Sequence, residues 1–194
     1  EDGFYEFFLL ELGTGMRRGE MLGLQWDDLN FQTGELQIVR QACAVNGKIE
    51  ISVPKTKSSI RTVVLPPSLV EVLKEYKKKV DSKLMFPSPI KGGDEYRNPD
   101  GIGKAMRTIL ERANCKRVRF HDLRHSCAST MLALGKQMKD IQMWLRHADI
   151  KVTADIYTHI EQNFSEEIPD YLQNVFVPTP RARGVMLELP TEKK

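Results

Sequence analysis

Phe4, Phe7, Phe8 and Leu12 fall near helical spacing, which predicts a helix over 2–12. Gly13 and Gly15 break it. A short helix follows from about Arg18, with Met21, Leu22 and Leu24 apolar. Between 35 and 65 the period changes. The runs GELQIV, KIEISV and IRTVVL alternate or are β-branched, and Asn46-Gly47 is a strong hairpin signal. These residues predict a three-stranded antiparallel meander whose second turn is the polar, basic PKTKSS. Pro66-Pro67 ends the sheet and opens a helix to about Lys79. The Pro- and Gly-rich stretch 86–101 reads as a loop, followed by a helix from about Asp100 to Ala113.

Phe120, Leu123, Cys127, Met131 and Leu134 are spaced 3, 4, 4 and 3 apart, a strongly amphipathic helix that Gly135 closes. A helix over 136–146 turns Met138, Ile141 and Leu145 inward. Asp149 caps a further helix carrying Tyr157, and a last helix at about 165–176 leads into an extended tail. The expected class is mainly α with a small three-stranded antiparallel β-sheet. The βαβ alternation and the glycine fingerprint of dinucleotide-binding folds do not occur.

A length of 194 residues suffices for one well-cored domain, or one domain and a tail. Hydrophobic residues at 41% suit a soluble globular chain, and no apolar run approaches the roughly 20 residues of a membrane span. The opening EDGFYEFFLLELGTG has no basic leader, so no secretory signal is expected. Its abrupt helical start is expected of a piece cut from a longer protein. A net charge of +3 is too small to identify a nucleic-acid binder, so distribution decides. Lys55, Lys57 and Arg61 cluster, as do Arg112, Lys116, Arg117, Arg119 and Arg124, whereas acids such as Glu11, Asp27, Asp28, Glu166, Glu167 and Asp170 gather elsewhere. One positive face is expected. Cys43, Cys115 and Cys127 are odd in number and widely spaced, which argues against a disulfide framework or a zinc site and for a cytoplasmic compartment.

Four stretches carry candidate chemistry. On a helix, His121, Arg124 and His125 of HDLRH share one side. An Arg beside a His suits an anion, whereas His125 also reads as an ordinary core or capping residue. In TGMRRGE, glycines that permit a tight turn precede Arg17 at a helix start, a weak anion-site signal by itself, and Glu20 either supports packing or pairs with a cation. Lys55 and Lys57 sit at the tip of a β-turn, in reach of a phosphate or merely solvated. Tyr157 follows His147 by ten residues. Nearby cations favour its phenolate and make it a usable nucleophile.

Taken together and in this order, TGMRRGE, PKTKSSIRTVVLP, HDLRHSCAS and WLRHADIKVTADIYTH resemble the tyrosine recombinases, the phage-integrase family. The likeness covers about residues 5–160 and is closest in style to integrases of phages and of conjugative or transposable elements. It implies six catalytic residues: Arg17, Lys55 (with Lys57 a rival), His121, Arg124, His147 and the nucleophile Tyr157. One departure stands out. The family usually has Gly before the second His, and here Arg146 stands there, although Gly permits backbone angles that Arg tolerates poorly.

The resemblance further implies site-specific recombination through a 3′-phosphotyrosine and a Holliday junction, with no cofactor and no metal. A type IB topoisomerase-like relaxing enzyme is the alternative. Implied partners are double-stranded DNA at recombination sites, three further copies in a homotetramer on DNA (a monomer alone) and an accessory directionality factor. Residues 1–164 are expected to form the catalytic domain, and 165–194 a C-terminal helix and tail that dock on a neighbouring subunit. Core-binding and arm-binding domains are expected to lie outside this chain, which leaves it weak sequence specificity by itself. The implied location is the bacterial cytoplasm, on the nucleoid when DNA-bound.

Overall fold

The computed structural model describes residues 3–52, 60–91 and 93–146. Lys55, Lys57, His147 and Tyr157, the helix expected around Tyr157 and the segment 165–194 lie outside the described residues. Six α-helices are described: α1 (Phe4–Thr14), α2 (Arg18–Gly23), α3 (Pro67–Lys77), α4 (Pro99–Arg112), α5 (Phe120–Ala133) and α6 (Met138–Leu145), with a short 3-10 turn at Trp26–Asp28. Four short strands lie between α2 and α3: β1 (Glu35–Ile38), β2 (Gln41–Val45), β3 (Lys48–Ser52) and β4 (Arg61–Val64).

The class is the expected one, helices with small antiparallel strands. The pairing differs in detail from a single three-stranded meander. Among the described residues β1 pairs with β4 and β2 with β3, as two separate antiparallel ladders. The region holds four strands because the chain leaves the first ladder after Ile38. Arg40 there is pulled onto Asp28, at 2.6 Å, while its backbone packs against Gly23 of α2. The β2–β3 turn is the Asn46-Gly47 pair, both residues at positive φ, as an Asn-Gly hairpin requires.

α1 buries Phe7, Leu10, Glu11 and Thr14. These positions follow i, i+3, i+4, i+7, so the core-facing stripe includes a carboxylate and leaves Leu12 half-buried. Phe7 sits at the centre of the main core. Its ring lies edge-on to Phe86 at 4.9 Å and tilted against Phe120 at 5.7 Å. Phe120 is the first residue of α5, so this contact sets where the HDLRH turn stands relative to the end of α1. A smaller cluster of Cys127, Ala128, Ile141 and Leu145 joins α5 to α6. The Trp144 indole N–H donates to the Thr14 carbonyl at 3.1 Å and ties α6 to the same end of α1. Three helices therefore meet around residues 14–17.

Candidate active site

The meeting point is built on Gly15. It caps α1 in the left-handed conformation, φ 61°, and its N–H donates to the Glu11 carbonyl at 2.6 Å. A β-carbon at Gly15 would stand 2.4 Å from Leu145 Cδ2 and 3.3 Å from Cys127 Sγ. The glycine thus serves two needs at once: the backbone reversal and the close approach of α5 and α6.

Arg124 is only 2% exposed and uses its guanidinium as a brace. Nη1 donates to the Gly15 carbonyl and Nη2 to the Leu145 carbonyl. Arg17, at the start of α2, donates through Nη2 to the Arg146 carbonyl at 3.2 Å and through Nη1 to Glu20 at 3.2 Å. Its side chain is half-exposed, at 49%. Both arginines therefore converge on the last carbonyls of α6 and the Gly15 turn. Burial pushes the Arg124 pKa down to about 10, helped by the like charge of Arg17 and opposed by Glu20 and Glu11, so it remains a cation at neutral pH.

Glu20 is the organising carboxylate. It takes a two-pronged ion pair from Arg61 of β4, at 3.0 and 2.8 Å, and also accepts the Arg17 backbone N–H at 3.0 Å. Burial opposes its ionisation, but the Arg61 and Arg17 bonds outweigh that and hold its carboxyl below the usual range. Arg61 is buried in this pair, so it is not the exposed member of a basic cluster that its sequence neighbours led one to expect.

His121 stands in the first turn of α5. Asp122 caps that turn by accepting the Arg119 N–H at 2.7 Å, so the Asp of HDLRH is a local helix-starting group. The His121 and His125 rings stand edge-on, 5.0 Å apart. Burial, then the charges of His125 and Arg124, depress the His121 pKa below its usual value and leave the ring neutral at neutral pH. His121 and Arg17 line one cleft of about 640 Å³, with Lys104 and Arg107 of α4 and with Arg117 and Arg119. Six cations, Arg18 included, and two carboxyls, Glu11 and Asp100, line the cleft, so it is net basic; of the residues expected on one positive face, Arg117 and Arg119 line it, whereas Arg61 and Arg124 are buried.

Of the six expected site residues, Arg17, His121 and Arg124 come together here. Lys55, His147 and Tyr157 lie outside the described residues. Glu11, expected among acids that lie away from the basic residues, instead lines the basic cleft and feels the charge of Arg124. It is 1% exposed, and neither carboxylate oxygen has a hydrogen-bond partner among the described residues. The signal was present: Phe7, Leu10, Glu11 and Thr14 share one helical stripe. Burial, only partly offset by Arg124, pushes its carboxyl up to about 8.

Known proteins match this chain along nearly its whole length. It is 32% identical, over 192 residues, to a tyrosine recombinase XerC-like protein of Caldanaerobacter subterraneus subsp. tengcongensis, covering 88% of this chain and 49% of the relative. It is 27% identical to the ICEBs1 integrase of Bacillus subtilis over 89% of this chain and 49% of that one. The chain thus spans about half the length of these curated relatives. Its fold is similar to the Tn1549 transposon integrase solved with transposon right end DNA, with a TM-score of 0.70 at 20% identity, covering 81% of this chain and 58% of that one. The model of the phage integrase family matches residues 4–163, which take in the Gly15 turn, both arginines and Tyr157. By motif order, fold and sequence, the chain belongs to the phage integrase family.

Proposed function

We propose that this chain is the catalytic domain of a site-specific DNA recombinase that cuts and rejoins DNA through Tyr157. The observation that carries the reading is the convergence of Arg17 and Arg124 on one turn beside a neutral His121 in a basic cleft. Arg17, half-exposed at the cleft wall, suits the non-bridging oxygens of a phosphodiester, where charge accumulates in the pentavalent transition state, and buried Arg124 braces the turn beside it while adding positive charge.

In this reading the Tyr157 oxygen attacks phosphorus in line. The P–O bond to the 5′-oxygen breaks, and Lys55 (or Lys57) protonates the leaving oxygen. The neutral His121 ring accepts the tyrosine proton or holds the phosphate, and His147 adds a further hydrogen bond to a non-bridging oxygen. The products are a 3′-phosphotyrosine and a free 5′-hydroxyl. The bond energy stays in the link, so a hydroxyl from a second duplex can reverse the step and exchange strands without ATP. Double-stranded DNA as partner, assembly as a homotetramer on two duplexes, docking of 165–194 on a neighbour, an accessory directionality factor and a cytoplasmic, nucleoid-associated location belong to the same proposal. Among the described residues no helix is long and apolar enough to cross a membrane.

The test is a nicked suicide duplex carrying the recombination site of the parent element, incubated with the full-length protein. The expected result is a covalent adduct that forms in EDTA and maps to Tyr157, with none from Tyr157→Phe. An adduct that persists in Tyr157→Phe refutes the assignment. Relaxation of supercoiled DNA without exchange between two site-bearing duplexes assigns the topoisomerase chemistry instead.

A further inference from the structure

The cleft that Arg17 and His121 line holds more positive charge than one phosphodiester engages. Three of its six cations already have acidic neighbours. Arg17 pairs with Glu20 at 3.2 Å, Arg119 with Asp122 at 3.0 Å, and Arg107 stands 3.9 Å from Glu111. The side chains of Arg18, Lys104 and Arg117 have no ion-pair or hydrogen-bond partner among the described residues. They come from three places in the fold: Arg18 opens α2, Lys104 lies on α4, and Arg117 belongs to the connection before α5. Two carboxyls line the same cleft. Burial pushes Glu11 up to about 8, so it is mostly neutral at neutral pH. Asp100 stands in the first turn of α4, where it offsets the positive end of that helix. Three unbalanced cations gathered in one concavity are unfavourable to the empty protein, and an anion longer than a single phosphate removes that repulsion.

We propose that Arg18, Lys104 and Arg117 form a second phosphate site, which holds backbone phosphates of the cleaved strand next to the one attacked. The proposal rests on the reading of this cleft as the place of DNA cleavage. Successive phosphates of one strand advance about 3.4 Å along the duplex axis, so a cleft of about 640 Å³ that takes one phosphate also meets its neighbours. Cations that touch phosphates fix the register of a strand and read no base. The three therefore set where the strand lies relative to Arg17 and His121, and they leave the choice of sequence to other contacts.

The α4 wall is shaped for a close approach. The helix buries Ile102 and Met106 and lines the cleft with Asp100, Gly103, Lys104 and Arg107, one stripe of helical spacing. A β-carbon at Gly103 would meet nothing within 4 Å among the described residues. The wall is thus open directly beside Lys104, where a strand backbone has room to pass. Arg18 is half-buried on the opposite wall, and Lys104 and Arg117 are exposed. A long side chain that is solvated at its tip and unpaired is free to follow a phosphate without first breaking an ion pair.

The test titrates the full-length protein into a duplex carrying the recombination site of the parent element, over a series of KCl concentrations. Each phosphate contact contributes about 0.9 to the slope of log affinity against log salt. Arg18→Ala, Lys104→Ala and Arg117→Ala should each lower the slope by about that amount. Lys74→Ala, which removes an exposed lysine of α3 outside the cleft, should leave it unchanged. Gly103→Glu should bind about tenfold more weakly at low salt than Gly103→Gln, which adds the same bulk without the charge. Both replace a glycine inside a helix, so neither weakens the fold. Neutral methylphosphonates, placed singly within about three nucleotides of the cleaved bond, locate the contact: at one position or more the loss of affinity should appear in the wild type and vanish in the triple alanine variant. If the alanine variants keep the wild-type slope, if Lys74→Ala loses as much, or if the triple variant retains every methylphosphonate loss, the second phosphate site is overturned while the cleavage reading stands. If the full-length protein forms no complex with the duplex, both fall together.

Discussion

Arg146 ends α6 in the left-handed conformation, φ 55° and ψ 50°, with its N–H on the Gln142 carbonyl. A side chain with a β-carbon pays about 1–2 kcal/mol for that conformation, and glycine pays almost none. Glycine gives back roughly 0.5–1 kcal/mol through the greater freedom of its unfolded chain. The net gain expected for Arg146→Gly is therefore about 1 kcal/mol, or about 2–4 °C in Tm for a chain of this size. Arg146→Ala is the necessary partner variant. Both variants lose the guanidinium and all that it touches, so their difference isolates the backbone. The Arg17 bond to residue 146 is made to the carbonyl and survives in both. Thermal and urea unfolding of the three proteins under one buffer measure the effect. The glycine variant should be the more stable of the pair by about 1 kcal/mol. If the alanine variant equals or exceeds it, position 146 is not strained and the reasoning fails.

Gly15→Ala should act in the opposite sense. It places a β-carbon 2.4 Å from Leu145 Cδ2 at a positive φ, so a loss of about 2–4 kcal/mol is expected together with loss of DNA cleavage, measured by urea midpoint and adduct yield. Arg61→Leu should cost about 3–5 kcal/mol by taking its two-pronged partner from the buried Glu20 carboxylate and leaving it only the Arg17 bonds among the described residues, and a second change, Glu20→Leu, should recover part of that stability. A double mutant no more stable than Arg61→Leu would show that the pair is not coupled. His121 has a depressed pKa, so it remains in its neutral, proton-accepting form until the pH falls below its usual 6.5. The acid limb of adduct formation assigned to it should lie below that value, and a limb above it would contradict the neutral-ring assignment. The same shift means that His121 lowers the stability of the folded chain as pH falls through 6.5, because the unfolded ring binds its proton first.

Elements with a strong period were legible. The 3, 4, 4, 3 stripe located α5 to within a residue at its end, and Pro66-Pro67 marked the start of α3. The strand pairing was less so, for a reason outside the strand residues themselves. Val39 and Arg40 continue a β-like run, but a tertiary contact decides their fate. Arg40 pairs with Asp28 from a different part of the chain, and the close glycine face of α2 seats the backbone there. Local alternation carries no information about such a distant carboxylate.

The site divides along the same line. In the proposed reading the residues at the phosphate must present particular chemistry, so Arg17, His121 and Arg124 stand out in short motifs with a fixed order. Residues that hold those arginines in place act through burial, and a carboxylate looks the same in sequence whether it is solvated or buried. Glu20 could be read only as a packing residue or the partner of some cation, because Arg61 lies 41 residues away. Glu11 was hidden among Leu10 and Leu12, in a helix whose apolar residues spread over more than one face. Yet the buried stripe of α1 is what brings Glu11 within electrostatic reach of Arg124. A charge inside a core stripe is costly to the fold, so its presence beside two site arginines is itself a functional signal. Among the acids buried in the described part of the chain, Glu20 and Asp28 each pair with an arginine, Arg61 and Arg40, which accounts for their burial. Glu11 has no hydrogen-bond partner among the described residues, and burial therefore holds its carboxyl toward the neutral form.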